Sequence, residues 1–233
     1  FFKLPILNSN DYILVWTTTP WTLSANVALA VGEKMNYVRL HVEGEDYNYI
    51  TTETYYKQKF EGKEGVTLLD RFTGADLAGL EYETCFPEMD QQNFVHKIVL
   101  WDEVDDTEGC GVVHIAPGCG AEDFALGESI GLPKIIPVDE YGVFYDGFGF
   151  LSGVDAQESR QLVFDELKKR GKLFYTHKYK HSYPICWRCK HEILFRLVKE
   201  WAIAVDELRP KLIENAKKVE WNPPYQGKRM LDW

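Results

Sequence analysis

Apolar residues in the first two thirds of the chain fall into short runs of β-branched and aromatic side chains. Tyr12–Val15, Val27–Val31, Tyr37–Val42, Tyr47–Thr51, Phe94–Trp101 and Gly111–Ile115 are such runs, and each predicts a strand. Turn clusters such as Glu43-Gly44-Glu45-Asp46 and Glu108-Gly109 separate them. This spacing suits a barrel or a folded mixed sheet. Helical patterns come later. Ala121–Gly131 predicts a short helix closed by its glycine, and Asp155–Gly171 a longer one. In the longer helix Asp155 would be the N-cap, Glu158 would complete a capping box and Gly171 would be the stop. A last helix is expected from about Pro210 to Lys218, with proline in its first turn. The glycines of Tyr141–Gly153 mark that stretch as a mobile or irregular loop. The sequence shows no internal repeat, low-complexity tract or linker.

The chain has 233 residues, 45% of them apolar, which suits one large domain with an ample core. No apolar run approaches the roughly 18 residues of a membrane span. Phe1-Phe2-Lys3-Leu4-Pro5 lacks the layout of a signal peptide. Five irregularly spaced cysteines argue against a secreted disulfide framework and for a reducing cytoplasm. The net charge of −10 excludes a globally basic nucleic-acid binder. It does not exclude a basic face, because residues 168–199 hold ten Lys or Arg against one acid, Glu192. Asp102–Glu108 is sharply acidic. Such polarity can guide a polyanion to one edge, or it can be no more than a solvated surface.

Two segments could carry chemistry. In Trp16-Thr17-Thr18-Thr19-Pro20-Trp21-Thr22-Leu23-Ser24-Ala25-Asn26, Pro20 stops regular pairing and sends the threonines off a strand at its rim. A row of threonines can hydrogen-bond a ligand and limit its size; it can also be ordinary strand threonine. The second segment is Gly109-Cys110-Gly111-Val112-Val113-His114-Ile115-Ala116-Pro117-Gly118-Cys119-Gly120-Ala121-Glu122-Asp123-Phe124. A strand delivers His114 to a Gly/Pro loop that opens a helix at Asp123. The helix start should favour a charged Asp123, which suits an ammonium ligand. The plainer alternatives are a capping acid and a satisfied strand histidine.

Two rival chemistries are weaker. Cys119 and His114 could form a thiol–imidazole pair, but no third group orients them. His177, His181, Cys186, Cys189 and His191 contain enough ligands on paper for structural zinc. Cys186-x2-Cys189 by itself is half a site.

Taken together, WTTTPWTLSAN at Trp16–Asn26 and GCGVVHIAPGCGAEDF at Gly109–Phe124 resemble the two motifs of the editing domain inserted in isoleucyl-tRNA synthetases. The related valyl and leucyl domains usually carry Thr-Thr-Arg-Pro where this chain has Thr17–Pro20, so Thr19 and Trp21 point to the isoleucyl branch. His181–Cys189 resembles the stretch where that domain returns to the catalytic body. The resemblance runs from about Tyr12 to Trp233. It implies the mixed α/β editing fold, with a β-barrel-like core and peripheral helices. It also implies one domain over residues 1–233, with 177–233 as the return segment. The His-Ile-Gly-His and Lys-Met-Ser-Lys-Ser signatures of the catalytic body are missing, and the ends fall mid-element. The expectation is therefore an excised domain that does not charge tRNA.

The function implied is hydrolysis of valine esterified to the 3′ end of tRNA(Ile). A hydrophobic pocket separates isoleucine from valine by only about 1–3 kcal/mol, a magnitude known for this enzyme family and not obtained from this chain. A second site that hydrolyses what is small enough to enter makes up the difference. By resemblance, Asp123 takes the α-ammonium. Thr17, Thr18, Thr19, Trp21 and Thr22 wall the pocket with His114, which is also the catalytic candidate for a general base. Thr18 and Asn26 position water or a ribose hydroxyl. Lys168, Lys169 and Arg170 meet the tRNA acceptor end. Cys119 stands where many members have histidine and receives no role. Editing needs no cofactor. In the full-length enzyme Cys186 and Cys189 would share zinc with a cysteine pair outside this chain, so no tightly bound metal is expected here. The domain should be monomeric and cytoplasmic, contacting the parent catalytic body and no membrane. The alternative is a tRNA-docking or zinc-knuckle module that binds without hydrolysing.

Overall fold

The computed structural model describes residues 1–89, 94–180 and 182–232. The strands are β1 (Phe2–Pro5), β2 (Asp11–Val15), β3 (Ala28–Val31), β4 (Asn36–Val42), β5 (Asn48–Thr52), β6 (Val66–Thr73), β7 (Lys97–Leu100) and β8 (Val112–Ile115). The α-helices are α1 (Glu53–Lys59), α2 (Gly74–Leu77), α3 (Ala121–Ile130), α4 (Arg160–Lys169), α5 (Arg209–Lys218) and α6 (Tyr225–Leu231). The chain divides into two compact units, Phe1–Leu197 and Val198–Trp233. The first holds both sheets and α1–α4; the second holds α5 and α6. Residue 177, where the return segment is expected to begin, lies within the first unit.

One sheet runs β1-β2-β5-β4-β6 and the other β7-β3-β8. Pairing is antiparallel except between β2 and β5 and between β3 and β7. Every residue of β3 is buried, as befits a central strand packed on both faces. The sheets meet through isolated bridges. Trp16 continues β2 onto Val113 of β8, Ile6 continues β1 onto Tyr82, and Glu81 pairs with Lys97 of β7. The mixed α/β class is as expected, but among the described residues these are two ladders joined by single bridges, and no closed barrel is found. The threonine–proline turn explains the break: β2 has one residue, Trp16, left to pair before the chain leaves the sheet.

The six expected strands are present, although Phe94–Trp101 narrows to β7. The helix expected over Asp155–Gly171 begins five residues later. Asp155 does not cap it; its carboxylate accepts the Gln157 N–H at 2.8 Å in a local turn, the competition with helix that short acids offer. The N-cap is Ser159, and the expected capping box does not form. Gly171 stops the helix as expected, with φ of 67°. The glycine-rich stretch 141–153 is irregular and packed, with Phe144, Phe148 and Leu151 buried. Among the described residues, no helix is long and apolar enough to cross a membrane.

Candidate active site

β2 ends in the core at Val15, and the chain turns out of the sheet over the next four residues. Thr17 Oγ1 accepts the Thr19 N–H at 3.0 Å, which folds the turn. Pro20 then opens a short 3-10 helix, Pro20–Ala25, whose six residues are all buried. Thr22 sits in that helix and donates its hydroxyl to the Thr19 carbonyl at 2.7 Å. Opposite, β8 delivers a buried His114 whose Nε2 lies 2.9 Å from Thr22 Oγ1. The one hydroxyl proton of Thr22 is used on Thr19, so Nε2 carries the imidazole hydrogen and donates it. Nδ1 is then an unprotonated acceptor. It is buried and has no hydrogen-bond partner among the described residues. Burial depresses the His114 pKa to about 4, so the ring is neutral at physiological pH.

After β8 the chain turns through Ala116–Cys119, closed by the Cys119 N–H to the Ala116 carbonyl at 2.8 Å. Gly118 is required there, because an added Cβ would stand 1.8 Å from the carbonyl oxygen of Ile135. Gly118→Ala should therefore cost about 1–3 kcal/mol. Equilibrium urea unfolding measures it, and an unchanged midpoint would show that the loop can move aside. α3 follows, with Asp123 in its first turn. Asp123 Oδ2 accepts the Ala116 N–H at 2.7 Å and so braces the loop. The helix start alone would favour the charged carboxylate. Instead burial dominates and raises the Asp123 pKa above its ordinary value. The site holds an under-solvated carboxylate, which a cationic ligand would relieve.

Thr17, Thr18, Thr19, Trp21, Thr22, His114 and Asp123 all line one cavity of about 280 Å³. That is below the roughly 300–1,000 Å³ of drug-sized sites and on the scale of an amino-acid ligand. Tyr183 and Phe195 complete the wall, and sequence reasoning missed both. Their segment is held to the loop by the Leu197 N–H on the Gly118 carbonyl at 3.0 Å. Asn26 does not reach this cavity. Its Nδ2 donates to the Ala28 carbonyl at 2.9 Å, its Oδ1 accepts the Tyr82 hydroxyl at 2.7 Å, and its backbone carbonyl meets His96 Nε2 at 3.1 Å. It ties the start of β3 to the 82–96 region.

No protein-family model matches the chain. It is 36% identical to the isoleucine--tRNA ligase of Methanothermobacter marburgensis, a match covering 100% of this chain and 22% of that protein. The isoleucine--tRNA ligase of Chlamydia pneumoniae is 32% identical over 99% of this chain and 22% of its own length. That of Carboxydothermus hydrogenoformans is 37% identical over 95% and 23%. The chain thus spans under a quarter of these relatives. Among solved structures, the Plasmodium falciparum cytosolic leucyl-tRNA synthetase editing domain shares the fold, with TM-score 0.57 and 12% identity over 72% of this chain and 80% of that one. A leucyl-tRNA synthetase CP1 domain, GlLeuRS-CP1, gives TM-score 0.57 and 13% identity over 72% and 85%. The chain belongs to the isoleucyl-tRNA synthetase family, and its fold is that of the leucyl-tRNA synthetase editing domains. The two segments singled out in the sequence are the ones that line the cavity.

Cys119 also lines this 280 Å³ cavity. Burial, reinforced by the Asp123 carboxylate, pushes its thiol far above the usual range, so little thiolate forms at neutral pH. Cys119→Ser should leave ester hydrolysis essentially unchanged, and native Cys119 should resist iodoacetamide at neutral pH by mass spectrometry. A large loss of hydrolysis would restore the thiol as a nucleophile.

The structure engages most of the expected tRNA contacts internally. Arg170 donates to both carboxylate oxygens of Glu88, at 2.9 and 2.5 Å, and to Glu166 at 2.8 Å. Lys169 lies 3.4 Å from Glu166. Lys168 has no carboxylate partner among the described residues.

Cys186 and Cys189 flank a tight turn in which the Lys190 N–H meets the Cys186 carbonyl at 2.9 Å and the Cys186 N–H meets the His191 carbonyl at 2.8 Å. Nearby N–H groups hold the Cys186 thiol below its ordinary pKa, which suits a ligand thiolate. Two thiols are half of a structural zinc set. No cluster of three or more candidate ligands occurs among the described residues; His181, one of the expected local ligands, lies outside them. His177 stacks on Tyr175 and Phe1. The donors among the described residues do not fit zinc unaided.

Proposed function

We propose that this editing domain hydrolyses the ester of valine mischarged onto tRNA(Ile). The observation that carries the reading is the meeting, in one small cavity, of a desolvated carboxylate and a wall of threonine and histidine. Asp123 accepts the α-ammonium of the aminoacyl group. Thr17, Thr18, Thr19 and Trp21 enclose the isopropyl group. A water attacks the ester carbonyl, the carbonyl–ribose oxygen bond breaks, and valine and the free 3′ hydroxyl leave. An aminoacyl ester is already activated, so positioning supplies much of the acceleration. His114, with a bare Nδ1 and low basicity, orients a water or hydroxyl by accepting its hydrogen; it does not store the proton. Asn26 acts as a positioning residue through β3.

The same reading makes the domain a monomeric insertion of a cytoplasmic synthetase, docked on its catalytic body. Its core is barrel-like in the loose sense that single bridges link the two ladders. Zinc, if held by Cys186 and Cys189, would need ligands from that body. The decisive experiment mixes the domain with valyl- and isoleucyl-tRNA(Ile) and follows ester loss at neutral pH. Selective release of valine is expected. Equal release of both, or of neither, overturns the reading.

A further inference from the structure

The basic residues of α4 and of the strip that follows it divide into a neutralised part and an open part. Arg170, Lys169 and Lys172 are paired with Glu88, Glu166 and Glu83. Arg160, Lys178 and Lys180 are exposed, and among the described residues no carboxylate lies within ion-pair distance of any of them. These three cations are not scattered. They line a cavity of about 440 Å³ that Thr18, Thr19 and Trp21 also line. The one acid in that lining is Glu192. A second cavity, of about 810 Å³, contains Arg160 and Lys178 together with His177, Tyr179 and Trp16. Thr18 borders both of these and the 280 Å³ editing cavity as well.

The rings in this region are ordered against one another. Tyr179 stands edge-on to Trp16, with centroids 5.3 Å apart at 89°. His177 meets Tyr179 at 6.2 Å and 75°. His177 and Tyr179 are exposed and alternate along the chain with Lys178 and Lys180. Cations interleaved with exposed rings along one segment are the physical signature of a track for unpaired nucleotides, in which phosphates meet the charges and bases lie on the rings. An acidic peptide would satisfy the charges and leave the rings unused.

We propose that Arg160, Lys178 and Lys180, with the rings of His177 and Tyr179, form the groove that holds the unpaired nucleotides leading to the threonine wall. The groove, and not the α4 terminus at Lys168–Arg170, is then the nucleic-acid contact of this domain. The inference rests on the editing reading only for the identity of the strand, the 3′ end of a tRNA.

Two measurements keep the two ideas separable. In the first, fluorescence anisotropy follows the full chain binding a labelled single-stranded ACCA oligoribonucleotide, with no amino acid attached, across a salt series. Each of Arg160→Ala, Lys178→Ala and Lys180→Ala should lower the slope of log affinity against log salt by about 0.7, the share of one phosphate on a single strand. Tyr179→Ala should weaken binding roughly tenfold with little change in slope. In the second, hydrolysis of valyl-tRNA(Ile) by the Lys178→Ala/Lys180→Ala chain should show a KM raised roughly tenfold with kcat held. If the oligonucleotide binds and the groove variants weaken it while the chain hydrolyses nothing, the groove stands and the editing reading falls. Hydrolysis with KM and salt slope untouched in every groove variant overturns the groove and leaves editing intact. Loss confined to Lys168→Ala and Lys169→Ala would move the contact to α4 and overturn it too.

Discussion

Asp123→Asn should reduce valyl-tRNA(Ile) hydrolysis by on the order of 10²–10³-fold, the cost of leaving a buried charge without its partner. Asparagine is the informative replacement because it separates charge from scaffold. Asp123 Oδ2 braces the loop by accepting the Ala116 N–H, and the asparagine carbonyl can accept the same hydrogen. What disappears is the negative charge opposite the substrate's ammonium. Stability should move the other way. Burial raises the Asp123 pKa, so ionising this group costs folding free energy. That cost is absent below the unfolded-state pKa, grows as pH rises through the folded-state pKa and is complete above it. At neutral pH the asparagine variant should therefore unfold at an equal or higher denaturant concentration while its activity collapses. A variant that lost activity and stability together would make Asp123 a loop brace alone. Binding of uncharged tRNA(Ile) should be unaffected, since no ammonium is present to lose.

The parts of this molecule that were legible in its sequence are those written locally. β2, β4, β5 and β8 are rich in β-branched and aromatic residues, and β3 is a short, wholly apolar run. Gly131 and Gly171 end helices with the positive φ that glycine tolerates. β6 was hidden because it is mostly exposed and carries Asp70 and Arg71 in mid-strand. α1 was hidden because its two aromatics, Tyr55 and Tyr56, read as strand although they form its buried face. The cavity residues sit in two short segments, each hung on a strand end, so motif and geometry coincide. Tyr183 and Phe195 have no such local marker; the hydrogen bond from Leu197 to Gly118 puts their segment against the loop. Asn26 shows the converse. Its position in the motif suggests chemistry, whereas its partners Tyr82, Thr84 and His96 are nearby only once the fold has formed. Charge misled in the same way, since a run of Lys and Arg does not announce that Glu88 and Glu166 will claim Arg170.

His114→Ala should change what the site accepts more than how fast it works. The ring fills one side of the 280 Å³ cavity and is fixed there through Thr22, which also bonds the Thr19 carbonyl. Histidine and the threonine wall thus form one hydrogen-bonded unit, and removing the ring gives an isoleucine side chain room for its extra methylene. One methylene is worth about 1–3 kcal/mol in such a pocket, so the preference for valyl over isoleucyl ester should fall by about 10–200-fold. His114→Phe separates volume from chemistry: it refills the space, so it should keep isoleucine out while losing the Thr22 bond and the Nδ1 acceptor. Equal exclusion of isoleucyl ester by wild type and His114→Ala would show that the ring does not set the size limit. The same residue has a pH signature. Its folded-state pKa of about 4 lies below the ordinary 6.5, so its contribution is complete above the unfolded value and is lost as pH falls from there towards 4. That loss amounts to about 3 kcal/mol. Urea unfolding of wild type at pH 7 and pH 4.5 should show it, and His114→Phe, with nothing to protonate, should show correspondingly less.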